Sequence, residues 1–239
     1  MNWLIIGLIV IVLLYLSPKI IRFIWYRRSS YYKITKNKFS NLNKGEVGEY
    51  LIWKVLRRFE RKGGKFLFNL YIPKPNEETT EIDVVLIHPK GFFVFESKNY
   101  NGWIFGNENN RYWTQTLPMG RGYESNKEKF YNPLRQNGSH IKHLKRILNE
   151  SVPMWSLIVF SDDCTFKDVT VSSDKRYKVL HLNQLKSVVN KLIKDTKDDI
   201  FSDSDIQWMY DELLPFTDVS DEVKDFHFLR TSSKYGTDE

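Results

Sequence analysis

Residues 81–87 and 92–98 form two runs rich in β-branched, aromatic and aliphatic side chains, separated by His88-Pro89-Lys90-Gly91. Turn residues between two apolar runs of strand length specify an antiparallel hairpin, the strongest local restriction on how this chain can fold. A symmetric turn pairs Ile87 with Phe92 and, counting outward one for one, Asp83 with Glu96. Side chains alternate across a strand, so Glu96 and Lys98 share a face with Asp83. Directly opposed residues hold their Cβ atoms about 4.5–5.5 Å apart, where two carboxylates repel and weaken the sheet. A hard divalent cation would offset that repulsion, and Mg2+ (or Mn2+) takes such oxygen ligands together with several waters. Lys98 next to the pair could orient a water or stabilise charge developing on a phosphoryl group. An ordinary strand-end ion pair between Glu96 and Lys98 is the plainer reading, but it leaves the repulsion without a counterweight.

The remaining pattern predicts one α/β domain around this hairpin. Apolar spacing over 45–61 predicts a helix that stops at Gly63-Gly64, and 66–72 reads as a strand. Short strands are expected over 103–105 and 112–116. Asn132-Pro133 opens a helix with Asn as the cap and Pro at the first helical position, running to Leu148. Residues 154–160 and 177–182 read as strands, 183–194 and 203–214 as helices. No repeat and no glycine-rich phosphate loop is present. The single cysteine, Cys164, excludes an internal disulfide and any Cys-based zinc cluster.

Residues 1–18 contain no charged side chain, and 3–16 are almost wholly aliphatic. With the apolar residues that follow Pro18, this predicts a transmembrane anchor over 1–26, with Trp3, Trp25 and Tyr26 at the interfaces. A cleaved signal peptide fits less well, because no basic residue precedes the run and no Ala-x-Ala site follows it. Residues 27–43 are basic and show no clear period. They read as a juxtamembrane linker held on the cytoplasmic side, which makes the protein single-pass with a cytoplasmic body. Net charge is +7, unevenly spread: 195–239 carry 13 acidic and 4 basic side chains, and the rest 16 and 32. So basic a body favours anionic partners: nucleic acid, phospholipid headgroups or its own acidic tail. Residues 161–215 complete the domain, and 216–239 read as an acidic, flexible tail.

Four motifs fall in order along the chain: Gly45-Glu46-Val47-Gly48-Glu49, Glu81-Ile82-Asp83, Phe95-Glu96-Ser97-Lys98-Asn99 and Asn132-Pro133-Leu134-Arg135-Gln136. With Trp103 and Trp113, they resemble the nuclease-related domain (NERD) family over about residues 40–160. The resemblance implies a restriction-endonuclease-like core, a central mixed sheet flanked by helices, with an Asp…Glu-x-Lys site. It implies that Asp83, Glu96 and the Ser97 carbonyl hold a metal ion and that Lys98 is catalytic. Glu49 would be an additional acidic residue, and Gln136 would touch the site or the substrate backbone. The implied activity is metal-dependent hydrolysis of DNA or RNA; a catalytically silent nucleic-acid-binding module is the alternative.

Other candidates read as structural. His140 and His143 lie three apart on one helix without a third ligand nearby, which fits a solvated face. Residues 161–163 read as a turn, and 123–129 as a solvated loop that mixes basic and aromatic residues.

Overall fold

The computed structural model describes Ile6 and residues 18–75, 78–117, 125–148, 151–172 and 176–235. Two sheets and six labelled helices follow one another as α1 (Ser30–Thr35), α2 (Lys44–Leu56), β1 (Lys65–Pro73), β2 (Thr79–His88), β3 (Gly91–Lys98), β4 (Gly102–Asn107), β5 (Tyr112–Leu117), β6 (Asn126–Tyr131), α3 (Pro133–Leu148), β7 (Met154–Phe160), β8 (Cys164–Thr170), β9 (Tyr177–His181), α4 (Leu182–Asp195), α5 (Asp203–Leu213) and α6 (Asp221–Tyr235). The main sheet has the order β1-β2-β3-β7-β9, and the second β6-β5-β4-β8. β1, β2 and β3 run antiparallel, while β7 and β9 extend the sheet in parallel. This is the mixed α/β architecture expected from the pattern.

The hairpin has the expected register, from His88↔Gly91 through Ile87↔Phe92 to Val84↔Phe95. Its strands are apolar on both sides because both faces of the sheet are covered. Phe93 and Phe95 join Ile52, Trp53 and Leu56 of α2 and Leu185 and Val189 of α4 in one core. Phe92 and Val94 join Leu144 and Leu148 of α3 and Ile206 and Met209 of α5 in the other. Glu96 and Lys98, next in the same alternation, fall on the α3 side.

The alternation breaks at one point. Val84 and Leu86 face the α2 core and Val85 and Ile87 the α3 core, yet Ile82 also belongs to the α3 core. The β1–β2 ladder skips Asn69 and Asp83, lying between Phe68↔Val84 and Leu70↔Ile82, and the β2–β3 ladder ends at Val84↔Phe95. Asn69 has φ of 51°, a left-handed conformation that Asn tolerates better than most residues. The sheet therefore opens around Asp83.

Three expectations need correction. The basic stretch 27–43 is not a bare linker: it contains α1, and Tyr26 and Tyr31 are fully buried in the α2-side core. Tyr26 packs 4.9 Å from Phe39 and 5.3 Å from Tyr50, centroid to centroid, rather than standing at an interface. A six-residue helix is too short to show a period, so only its aromatic content could have signalled it. The acidic tail holds the helix α6, which docks on β2. Residues 126–131 are strand β6, paired with β5, instead of loop. As for the membrane anchor, residues 1–5 and 7–17 lie outside the described residues; among the described ones, no helix is long and apolar enough to cross a membrane.

Candidate active site

The first helix approaches the hairpin through a glycine. A Cβ on Gly48 would stand 2.3 Å from Ser97 Oγ and 3.2 Å from Asn99 Cβ, so only glycine lets α2 lie this close to β3. An Asn43 capping box with Glu46 fixes the start of that helix. Glu49, one residue beyond Gly48, is thereby carried toward the opening in the sheet. Its carboxylate accepts from Tyr31 Oη at 3.2 Å and faces the Asn69 amide. Burial, then the Glu81 charge, push the Glu49 carboxyl up to about 8.

Asp83 sits where both ladders fail, and its Oδ2 accepts from the Ser97 N–H at 2.6 Å. The N–H and C=O of one strand residue point to the same edge, so the Ser97 carbonyl is directed to the same side. Burial, followed by the charges of Glu96 and Glu49, raises the Asp83 carboxyl well above the ordinary range; Lys98 and the Ser97 N–H only partly offset this.

Glu96 is in the opposite condition. Burial alone would raise its pKa, but Lys98 and His140 together hold it below the ordinary value. Its Oε1 lies 2.7 Å from Lys98 Nζ and its Oε2 3.1 Å from His140 Nε2. Burial would lower the Lys98 ammonium, yet Glu96, Tyr100 and Asp83 keep it protonated far above neutrality. Lys98 Nζ also donates to Gln136 Oε1 at 3.2 Å.

The helix bearing Gln136 is set by Asn132. This fully buried side chain caps the helix through Leu134 N (2.9 Å) and donates to the carbonyls of Glu108 (3.0 Å) and Asn110 (2.7 Å) in the β4–β5 turn. The Asn-Pro motif thus ties α3 to the second sheet and aims Gln136 at Lys98.

Glu49, Asp83, Glu96, Ser97, Lys98 and Gln136 all line one cavity of about 450 Å3, so the residues singled out from the sequence meet in space. Glu46 and Glu81 line it too, which makes five carboxylates against the two ammonium groups of Lys98 and Lys224.

Residues 44–161 match the nuclease-related domain family. An uncharacterized protein of Bacillus anthracis is 31% identical over 192 residues, 80% of this chain and 85% of that protein. The chain belongs to the nuclease-related domain family. No solved structure matches it.

In and around this nuclease-related domain, several site residues escaped the sequence reading. His140 is not on a solvated face: it is buried between Glu96 and Thr80 Oγ1, the latter 2.7 Å from its Nδ1. Its spacing of four from Gln136 was the available signal, since residues i and i+4 share a helix face. His143 is buried as well. Tyr71 donates to Glu81 at 2.8 Å, and α6 brings His227 Nε2 to 3.8 Å from the same carboxylate. The tertiary contacts of α6 left no trace in local periodicity.

The donor chemistry of this cavity fits a hard cation. The Glu49 carboxyl is buried and that of Asp83 half-buried, and desolvation together with the neighbouring carboxylates pushes both toward protonation. Among the described residues, however, no three His, Cys, Asp or Glu side chains converge as a finished ligand set. The donors with suitable chemistry are Asp83, Glu96 and the Ser97 carbonyl, with waters for the rest.

Proposed function

We propose that this protein is a divalent-metal-dependent nuclease that hydrolyses phosphodiester bonds of DNA or RNA. The observation that carries the reading is the excess of buried and half-buried carboxylates at the break in the sheet, next to a lysine held charged by Glu96 and hydrogen-bonded to Gln136. A magnesium or manganese ion on Asp83, Glu96 and the Ser97 carbonyl would act as a Lewis acid toward the scissile phosphate.

The chain's own residues have distinct tasks in this reading. Lys98 is the cation that positions the attacking water and stabilises charge on the phosphoryl oxygens. Gln136 holds the Lys98 ammonium toward the cavity, and His140 with Lys98 keeps Glu96 ionised. Glu49 sits in the same cavity as a further carboxylate against which water can be ordered. The basic body holds the nucleic-acid backbone by a sequence-independent, salt-sensitive attraction.

A second reading has one observation in its favour: both Glu96 oxygens are already engaged, by Lys98 and His140. A catalytically silent nucleic-acid-binding module would keep that closed network. Membrane tethering, with the body on the cytoplasmic side, rests on the uncharged run 1–18 alone, and any span ends before the buried Tyr26.

The test is cleavage of labelled single- and double-stranded DNA and RNA with Mg2+, with Mn2+ and with chelator, by wild type and Lys98→Ala. Metal-dependent products that vanish in Lys98→Ala are expected. Folded wild-type protein that leaves every substrate intact would refute the enzyme reading.

A further inference from the structure

A second cavity, about 520 Å3, adjoins the carboxylate site and shares Glu81, Asp83 and Gln136 with it. Arg111, Tyr131 and Arg135 of the β4–β5 turn, β6 and α3 line it together with Phe226, His227 and Arg230 of α6. This helix lies outside residues 44–161, the part that matches the family. It is nonetheless fixed to the core. His227 Nδ1 lies 3.0 Å from Thr79 Oγ1, Arg230 Nη1 is 2.5 Å from Glu78 Oε1, and the His227 ring meets Tyr71 edge-on at 5.6 Å.

We propose that this cavity is a groove for a single strand of nucleic acid, which delivers one phosphodiester to Asp83 and Gln136 and which α6 closes to a duplex. The inference rests on the nuclease reading and narrows its substrate. Three observations support it. A space of this size lies in the range of pockets that enclose one small ligand, about 300–1,000 Å3, and suits a nucleotide or two rather than the breadth of a double helix. Its acidic floor would repel phosphates, so a strand entering it needs cations around the approach, and Arg111 and Arg135 supply guanidinium groups there, Arg230 being paired with Glu78. Arg135 donates to the Asn109 carbonyl at 2.8 Å, which positions its fork while leaving other N–H donors for phosphate oxygens. Finally, Phe226 is 46% exposed although its helix is docked, and it lines the cavity. An aromatic face beside guanidinium groups is how single strands are held without reading sequence, by base stacking plus backbone charge.

The experiment measures binding without cleavage. Full-length Asp83→Asn protein, in mild detergent, is titrated against fluorescent 12-mers: single-stranded DNA, single-stranded RNA and duplex DNA, followed by anisotropy. Both single strands are expected to bind tighter than the duplex, and any difference between them reports on the 2′-hydroxyl. Adding Phe226→Ala should weaken single-strand binding roughly 5- to 150-fold, the range for loss of one stacked base. Arg135→Ala should reduce the slope of log affinity against log salt by about 0.7, one phosphate contact on a single strand. Duplex binding as tight as single-strand binding, or affinity indifferent to Phe226→Ala, would overturn the groove. Stacking-dependent binding by Asp83→Asn, with wild type that cleaves no substrate, would keep the groove and refute the nuclease; metal-dependent cleavage by wild type with duplex preference would do the reverse.

Discussion

Glu49→Gln should stabilise the protein, and by an amount that grows with pH. The Glu49 carboxyl is raised from 4.5 to about 8, chiefly by burial and then by Glu81. The folded chain therefore keeps a proton that the unfolded chain releases above about 4.5. Where the native state binds more protons, stability falls as pH rises. This contribution is absent below about 4.5, accumulates through neutrality and levels off above about 8. At about 1.36 kcal/mol per unit, it amounts to about 3 kcal/mol at pH 7. Gln keeps the shape and an acceptor for Tyr31 Oη, and the Asn69 amide can turn to accept from the new N–H groups. Urea unfolding of the two proteins at pH 4.5, 7 and 8.5, without divalent metal, reads the effect. The variant should match wild type at pH 4.5, exceed it by about 3 kcal/mol at pH 7 and gain little more above pH 8. A difference that stays constant with pH, or a variant less stable at pH 7, would refute the claim that buried charge accumulates here.

Deleting residues 1–38 should abolish cooperative unfolding, because it removes Tyr26 and Tyr31 from the core. Large core aromatics are worth about 3–5 kcal/mol each, against a total of about 5–15 kcal/mol for a domain; a sharp circular-dichroism melt of the truncated chain would contradict this. His140→Ala should strand the buried Glu96 Oε2 and Thr80 hydroxyl, destabilising by about 1–3 kcal/mol in urea titration. It should also slow metal-dependent cleavage, whereas a merely structural histidine would change stability alone.

Much of the framework was legible because it is local. The turn at 88–91 fixes the register of the hairpin, and the Asn-Pro pair announces the start of α3. The spacing of Glu96 and Lys98 places them on the α3 side by simple alternation. What remained hidden depends on contacts far apart in sequence. Counting along β2 cannot reveal that alternation breaks at Asp83, because the break is shared with Asn69 on another strand. His140 read as solvated since its partners, Glu96 and Thr80, come from two other elements. Tyr31 and α6 lie in stretches whose composition speaks of solvent, basic in one case and acidic in the other. The burial of Tyr31 and the docking of α6 follow from aromatic and histidine contacts with the sheet that no local pattern encodes.

The central claim is that the carboxylates around Asp83 exist to receive a divalent cation. Calorimetric titration of Mn2+ into wild type and Asp83→Asn tests it most directly. Wild type should bind manganese saturably and gain stability with ligand, about 2.7 kcal/mol at a hundredfold excess over Kd, while Asp83→Asn should do neither. Equal manganese binding by the two proteins, or none by folded wild type, would contradict the account.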